Sequence, residues 1–267
     1  MDEDARRRVG GDSGIGDGPR PVAPGTLEGF TAAQVRAAEA PHLEKGEPLM
    51  QRAADGLAAA IERLLARGAA GAGPGHRARV LILAGSGNNG GDALFAGERL
   101  ARRGSEVTIL PLGSRLHEAG LAAALDAGAT AAEPRGEHEE TTRFRERVAA
   151  LASRSDVIVD GILGTGTSAD PALRGAAAEA VSAIRESAAS TPPPLVVAVD
   201  LPSGIGPDDG SVPDGNVLAA DLTVTFGAIK AGILREPASR YAGRVELVDI
   251  GLLPDLSGVE PAVRVTR

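Results

Sequence analysis

Apolar residues change their spacing along this chain. From residue 31 to residue 67 they recur every three or four positions. Thr31 can cap a short helix over residues 32–40, which Pro41 should interrupt, and Leu49, Ala53, Leu57, Ile61 and Leu64 mark one face of a second helix over residues 48–67. Residues 68–75 are Gly, Ala and Pro and read as a linker. From residue 80 onward, short unbroken apolar runs alternate with helical stretches. Strands are expected at 80–83, 106–110, 130–133 (weakly), 157–160, 195–200, 222–226 and 245–248; helices are expected after the turn at 85–91 and at 116–126, 139–153 and 171–186.

Strands that alternate with helices, and that are apolar at successive positions, predict an α/β fold with a largely parallel sheet buried on both faces. One domain is expected over residues 30–255, with 1–29 a disordered extension rich in charge, Gly and Pro, and 256–267 a C-terminal tail. Residues 201–220 are rich in Gly, Pro and Asp and long for a plain connection, which marks them as either functional or disordered.

Composition narrows the function classes. With 267 residues, 43% of them hydrophobic, the chain can bury one substantial core; with four Phe, one Tyr and no Trp, that core must be aliphatic. Scarce aromatics and a formal charge of -8 argue against a nucleic-acid partner. The absence of cysteine excludes disulfides, a thiolate nucleophile and Cys-ligated metals, and fits a cytoplasmic setting. No apolar stretch is long enough to suggest a membrane span or a secretory leader.

Ligands of open α/β sheets bind beyond the carboxyl ends of the strands, and three such ends carry unusual polar groups. Gly85-Ser86-Gly87-Asn88-Asn89-Gly90-Gly91-Asp92 lacks the Lys-Ser/Thr of a Walker loop and only partly matches the dinucleotide fingerprint. Its amides and carboxylate either bind a polar ligand or cation, or cap the following helix. Asp160, ahead of a Gly-rich loop, offers oxygens to a cation or caps the next turn. Asp200 ends the strongest strand and can exchange a proton if partly desolvated, with Ser203 nearby. Oxygen donors without Cys or patterned His suit a hard cation. His42, His76, His117 and His138 lie outside any motif and read as surface residues; Lys230 reads as a phosphate contact or a solvated lysine.

Together, residues 87–92, 160–166, 199–204 and 220–227 with Lys230, joined by Tyr241-Ala242-Gly243, Asp249-Ile250-Gly251 and Leu49-Met50, resemble the YjeF N-terminal family, the NAD(P)H-hydrate epimerases, over residues 30–253. The resemblance implies a three-layer αβα sandwich, Rossmann-like with a mostly parallel central sheet, commonly homodimeric. It implies interconversion of the R and S epimers of NADHX and NADPHX, reduced nicotinamide cofactors hydrated at C6. A separate ATP- or ADP-dependent dehydratase, specific for the S form, then restores the cofactor. Substrate-binding loops fall on Asn88, Asn89, Gly90, Gly91 and Asp92 and on Gly164, Thr165, Gly166, Thr167, Ser168, Ala169 and Asp170. Asp200 is the implied substrate-contacting carboxylate and, by its place at the strand end, the candidate catalytic acid/base; Asn89, Asp160 and Ser203 are the implied potassium ligands.

Two positions depart from the family: Ala93 stands where Gly is usual, and residues 167–170 lack an Arg or bulky side chain, for which Arg174 can substitute in phosphate contact. No dehydratase sequence follows Arg267, which fits either a single-domain epimerase or half of a bifunctional fusion. An NAD(P)-dependent oxidoreductase would usually need an acid after the second strand, where this chain has Leu110-Pro111-Leu112-Gly113. A nucleotide-binding protein of the same fold without turnover is the other alternative.

Overall fold

The computed structural model describes residues 20–21, 25–68, 77–166, 170–187 and 193–266. In chain order the principal elements are β1 (Arg20–Pro21), β2 (Thr26–Phe30), α1 (Ala32–Glu44), α2 (Leu49–Gly68), β3 (Arg79–Ala84), α3 (Asn88–Arg102), β4 (Glu106–Pro111), α4 (Glu118–Asp126), β5 (Thr130–Ala131), α5 (Thr141–Ser153), β6 (Val157–Gly161), α6 (Gly175–Glu186), β7 (Leu195–Val199), β8 (Leu222–Phe226), β9 (Ile229–Lys230), β10 (Arg244–Val248), α7 (Leu253–Leu256) and β11 (Val263–Thr266). The main sheet runs β1-β10-β8-β7-β6-β3-β4-β5 and is parallel except for the short β1 against β10. After β3 the chain winds outward through β4 and β5, then returns to β6 on the other side. The switch in winding therefore lies between β3 and β6, where the loops that follow them diverge and leave a crevice.

The strands are unbroken apolar runs because both faces are covered. Val80, Ile82, Val157, Val159, Val197 and Val199 face one core, shared with α1, α2, α3 and α4. Leu81, Leu83 and Ile158 point the other way, against Phe144 and Val148 of α5 and Ala180, Val181 and Ile184 of α6. The result is a Rossmann-like three-layer sandwich, as the sequence predicts.

Several local expectations are corrected. α1 continues through Pro41 to Glu44. The ring N–H that proline lacks removes one helical bond, but the turn is held from outside by His42, which contacts Glu47 and Asp255 at 2.9 Å each. His117 is no idle surface group either: its Nδ1 accepts from Gly120 N and caps α4, and its ring packs on the edge of Phe95. His138 is exposed, whereas His76 and the linker expected at 68–75 lie outside the described residues, apart from Gly68 at the end of α2. Residues 201–220 carry no helix or strand but are ordered by burial, with Leu201, Ile205 and Val217 inside a third core.

That third core lies under a small second sheet, β11-β2-β9. Residues expected to be extension or tail are strands here, with Arg264 opposite Glu28 and Val265 opposite Leu27 in an antiparallel pair. Two short edges that could not persist alone are stabilised by pairing and by burial of Leu27. Of the expected extension, residues 1–19 and 22–24 lie outside the described residues.

α3 approaches β6 closely at Gly161, where an added Cβ would stand 2.6 Å from the Ala93 Cβ. Here the departure at Ala93 and the glycine at 161 compensate each other. Gly161→Ala is expected to destabilise the fold by about 1–3 kcal/mol through overpacking, and Ala93→Gly in the same chain to restore most of that loss. Chemical denaturation of the two single variants and the double variant reads the coupling.

Candidate active site

Beyond the carboxyl ends of β3, β6, β7 and β8 lies a cleft of about 820 Å³, at the switch in winding. Its floor and walls come from residues 85–89 and Asp92, residues 112–114, residues 162–166, residues 170 and 172–174, Asp200, Phe226 and Lys230. α1 closes one side with Val35, Arg36, Glu39 and Leu43, and Arg36 Nη1 donates to the Thr165 carbonyl (3.2 Å) across the rim.

Asp200 sits where β7 ends, in a backbone conformation unusual for a side-chain-bearing residue (φ 67°). Leu201 N donates to Val199 O (2.8 Å), so the chain reverses within three residues around Asp200. Such strain persists only where the surroundings over-determine it, and here they do. Lys230 Nζ lies 2.5 Å from Asp200 Oδ1, Thr225 Oγ1 donates to the same oxygen (3.0 Å), and Phe226 N donates to it at 3.3 Å. The ammonium also donates to the Phe226 carbonyl (2.7 Å) and is 2% exposed. Lys230 is thus not a solvated lysine; it is the buried counter-ion of Asp200 and lines the cleft beside it.

Two further carboxyl groups line the cleft beside this pair. Asp92, on the second turn of α3, is 8% exposed and makes no hydrogen bond or ion pair among the described residues. Burial, and then the Asp200 charge, hold its carboxyl well above the ordinary carboxylate range, against a smaller opposing pull from Lys230. Glu39 of α1 is half-buried; burial raises its carboxyl, Lys230 opposes that, and Asp200 adds to it.

Beneath the floor is a separate cluster of oxygens. Asp160 is fully enclosed and accepts from Ser203 Oγ (2.6 Å), Ser203 N (2.8 Å) and Ile162 N (3.4 Å). Burial raises its carboxyl and the Ser203 donors partly offset that. Leu163 N donates to Ser203 Oγ (2.8 Å) and Leu163 O accepts from Asn89 Nδ2 (2.9 Å), which draws Asn89 into the same cluster. No cationic side chain pairs with Asp160 among the described residues. By donor type this buried carboxylate, with an amide and a hydroxyl beside it, would suit a hard cation, although no group of three or more His, Asp or Glu that could hold a metal ion is found among the described residues.

The residues singled out in the sequence divide among these places. Asn88, Asn89, Asp92, Gly164, Thr165, Gly166, Asp170, Arg174 and Asp200 line the cleft. Gly90 and Gly91 lie inside α3 instead: a side chain at Gly90 would strike the Gly85 carbonyl, and Gly91 packs under His117 and Met50. Capping of α3 by Asn88 or Asn89 is not seen, since Gly87 is the cap residue and no side chain bonds there. Arg174 is largely exposed and pairs with Asp170 at 2.6 Å. Thr167, Ser168 and Ala169 lie outside the described residues. Sequence reasoning missed Arg36, Glu39 and Thr225. The signal for Glu39 was its place four residues after Val35 and four before Leu43, an acid on the stripe that faces the cleft.

Fold and cleft together define a Rossmann-like α/β protein with an acidic crevice at its winding switch. The chain belongs to the family described as YjeF-related protein N-terminus, whose profile matches residues 46–232. It is 49% identical over 242 residues to a protein of Clavibacter michiganensis subsp. michiganensis named NAD(P)H-hydrate epimerase, covering 90% of this chain and 96% of that one. A Microbacterium testaceum protein of the same name is 44% identical, over 88% of this chain and 82% of its own length. The bifunctional NAD(P)H-hydrate repair enzyme Nnr of Mycobacterium tuberculosis is 40% identical over 84% of this chain and 41% of its own length. The crystal structure of yeast ynu0 shares the fold, with a TM-score of 0.63 at 20% identity, over 79% of this chain and 86% of that one.

The raised Asp92 carboxyl has a consequence for stability. The folded chain keeps a proton that the unfolded chain releases above about pH 3.9, so this group lowers stability as pH rises from that value through its raised folded value. Asp92→Asn should therefore melt with the wild type at pH 4 and above it at pH 8, by about 2–4 °C for each kcal/mol relieved. Thermal melts of both proteins across that range check it.

Proposed function

We propose that this protein epimerises the R and S forms of NADHX and NADPHX, repairing hydrated nicotinamide cofactors. The observation that carries this reading is the 49% identity to the Clavibacter epimerase over nearly the whole length of both chains. The cleft agrees with it: about 820 Å³, with a glycine-rich loop before a helix N-terminus to receive phosphate, and carboxyl groups at its deep end.

The substrate carries a hydroxyl on C6 beside a ring nitrogen with electrons to give. Breaking the C6–O bond, as the nitrogen lone pair forms a C=N bond, leaves a planar iminium cation. Return of water to the opposite face gives the other epimer. Asp200 contacts the reacting end of the substrate in this reading, and its charge stabilises the iminium in a water-poor site. Asn88, Asn89 and the loop around Gly164 hold the dinucleotide, with Arg174 reaching toward phosphate. Asn89, Asp160 and Ser203 would hold a potassium ion, which supplies positive charge that orders the two loops above it. The protein would act in the cytoplasm, as a homodimer, upstream of an ATP- or ADP-dependent dehydratase that takes the S epimer.

Time-resolved chromatography of purified R-NADHX in potassium buffer tests the activity. Accelerated appearance of the S epimer without ATP is expected; a folded protein that adds nothing to the spontaneous rate would leave a binding protein of the same fold. Asp200→Asn is expected to lower turnover by about 100-fold or more, comparable to the loss of one charge-stabilising group in other active sites. A variant that turns over like the wild type would remove Asp200 from the chemistry.

A further inference from the structure

The reaction needs a proton for the departing oxygen, and around Lys230 the cleft holds three carboxyl groups, Asp92, Asp200 and Glu39, that are not equivalent. On Asp200 Oδ1 converge an ammonium, a hydroxyl and a backbone N–H. Three donors on one oxygen, one of them a cation, mark Asp200 as an acceptor held in a fixed orientation. Asp92 is its opposite: it is 8% exposed, lines the same cleft, and has no hydrogen-bond or ion-pair partner among the described residues. A carboxylate there would be largely desolvated and open only to the cleft, whereas a carboxylic acid has a proton to give to whatever enters it.

We propose that Asp92 is the general acid of the site and that Asp200 remains a carboxylate throughout, fixed by Lys230. The inference rests on the epimerase reading and deepens it. In the forward half-reaction the C6–O bond breaks, its electron pair goes to oxygen, and the Asp92 proton goes to that oxygen, so that water leaves. The iminium cation then faces two carboxylates, Asp92 and Asp200, and one ammonium. In the return half-reaction water adds to C6 from the opposite face, the C=N pair returns to nitrogen, and the released proton restores Asp92. No proton or electron is gained or lost over the cycle.

The charged and titratable groups facing Asp92 are Asp200 after β7, Lys230 on β9 and Glu39 on α1. The Asp200 charge keeps the proton on Asp92 in the ground state. The iminium would offset that charge and ease the proton's release as the bond breaks. Burial and the same charge favour the protonated state, and division of two neighbouring carboxyls into an acid and a base follows from such unequal surroundings.

The test is Asp92→Asn, which keeps the side chain's shape and removes its proton. Its kcat for R-NADHX is expected to fall about 100- to 10,000-fold, with KM within a few-fold of the wild type and partial recovery in Asp92→Glu. The wild-type kcat should fall as pH rises through the Asp92 titration, and that limb should vanish in Asp92→Asn. A folded Asp92→Asn variant within about three-fold of an active wild type would overturn the proposal. Carbon-13 titration of the side-chain carboxyls is a readout that does not depend on turnover. One resonance should titrate well above the ordinary range and disappear in Asp92→Asn, and an Asp92 that titrates like an exposed aspartate would overturn the assignment. A wild type without epimerase activity would overturn the proposed function and the acid's part in it, and the carboxyl titration would still report the state of Asp92.

Discussion

An ammonium and a carboxylate held out of water at 2.5 Å set the terms for everything around them. Lys230 and Asp200 come from different parts of the fold: Asp200 follows a central strand of the main sheet, and Lys230 belongs to β9, which pairs with β2 in the small one. Burying two charges costs several kcal/mol each, and such a pair is tolerable only when its remaining donors and acceptors are met. Thr225, the Phe226 N–H and the Phe226 carbonyl do this. The unusual backbone at Asp200 is then the way the carboxylate is brought to its counter-ion, and removal of either partner would leave a buried charge alone.

Once that charge is fixed, electrostatics sorts the neighbouring acids. Asp92 and Glu39 lie too close to Asp200, and too far from water, to ionise as easily as exposed acids do. The deep end of the cleft therefore holds a permanent ion pair beside protonatable groups. The oxygen cluster of Asn89, Asp160 and Ser203 meets the cleft through Asn89 itself and through Ile162 and Leu163, so an ion held there would act on loop position.

Much of the architecture was legible because burial on two faces imposes unbroken apolar runs, and β3, β6, β7 and β8 all show them. The strand ends were legible for a related reason: Asp160 and Asp200 stand directly after such runs, where a carboxylate has no structural excuse. What stayed hidden depends on partners distant in sequence. β11 is four residues long, alternates apolar and polar residues, and becomes a strand only by meeting β2 across more than two hundred residues. Pro41 looks like a stop because the support for the turn around it, Asp255, lies on α7. Glu39 shares a helical stripe with Val35 and Leu43, but only the packing of α1 across the strand ends makes that stripe a wall of the cleft. Lys230 carries no mark of burial, since its counter-ion is thirty positions away.

The small sheet also turns the chain's far end into a lever on the cleft. β11 grips β2, β2 runs directly into the Thr31 capping box of α1, Gln34 Nε2 donates to the Glu260 carbonyl (2.8 Å), and the Ala32 N–H is held by Asp208 (2.6 Å). α1 is the wall that carries Arg36 and Glu39. Tension or slack transmitted through β11 therefore reaches the rim by a short, stiff linkage that bypasses the main sheet. A load applied at Thr266 would thus have a mechanical route by which to widen or narrow the entrance.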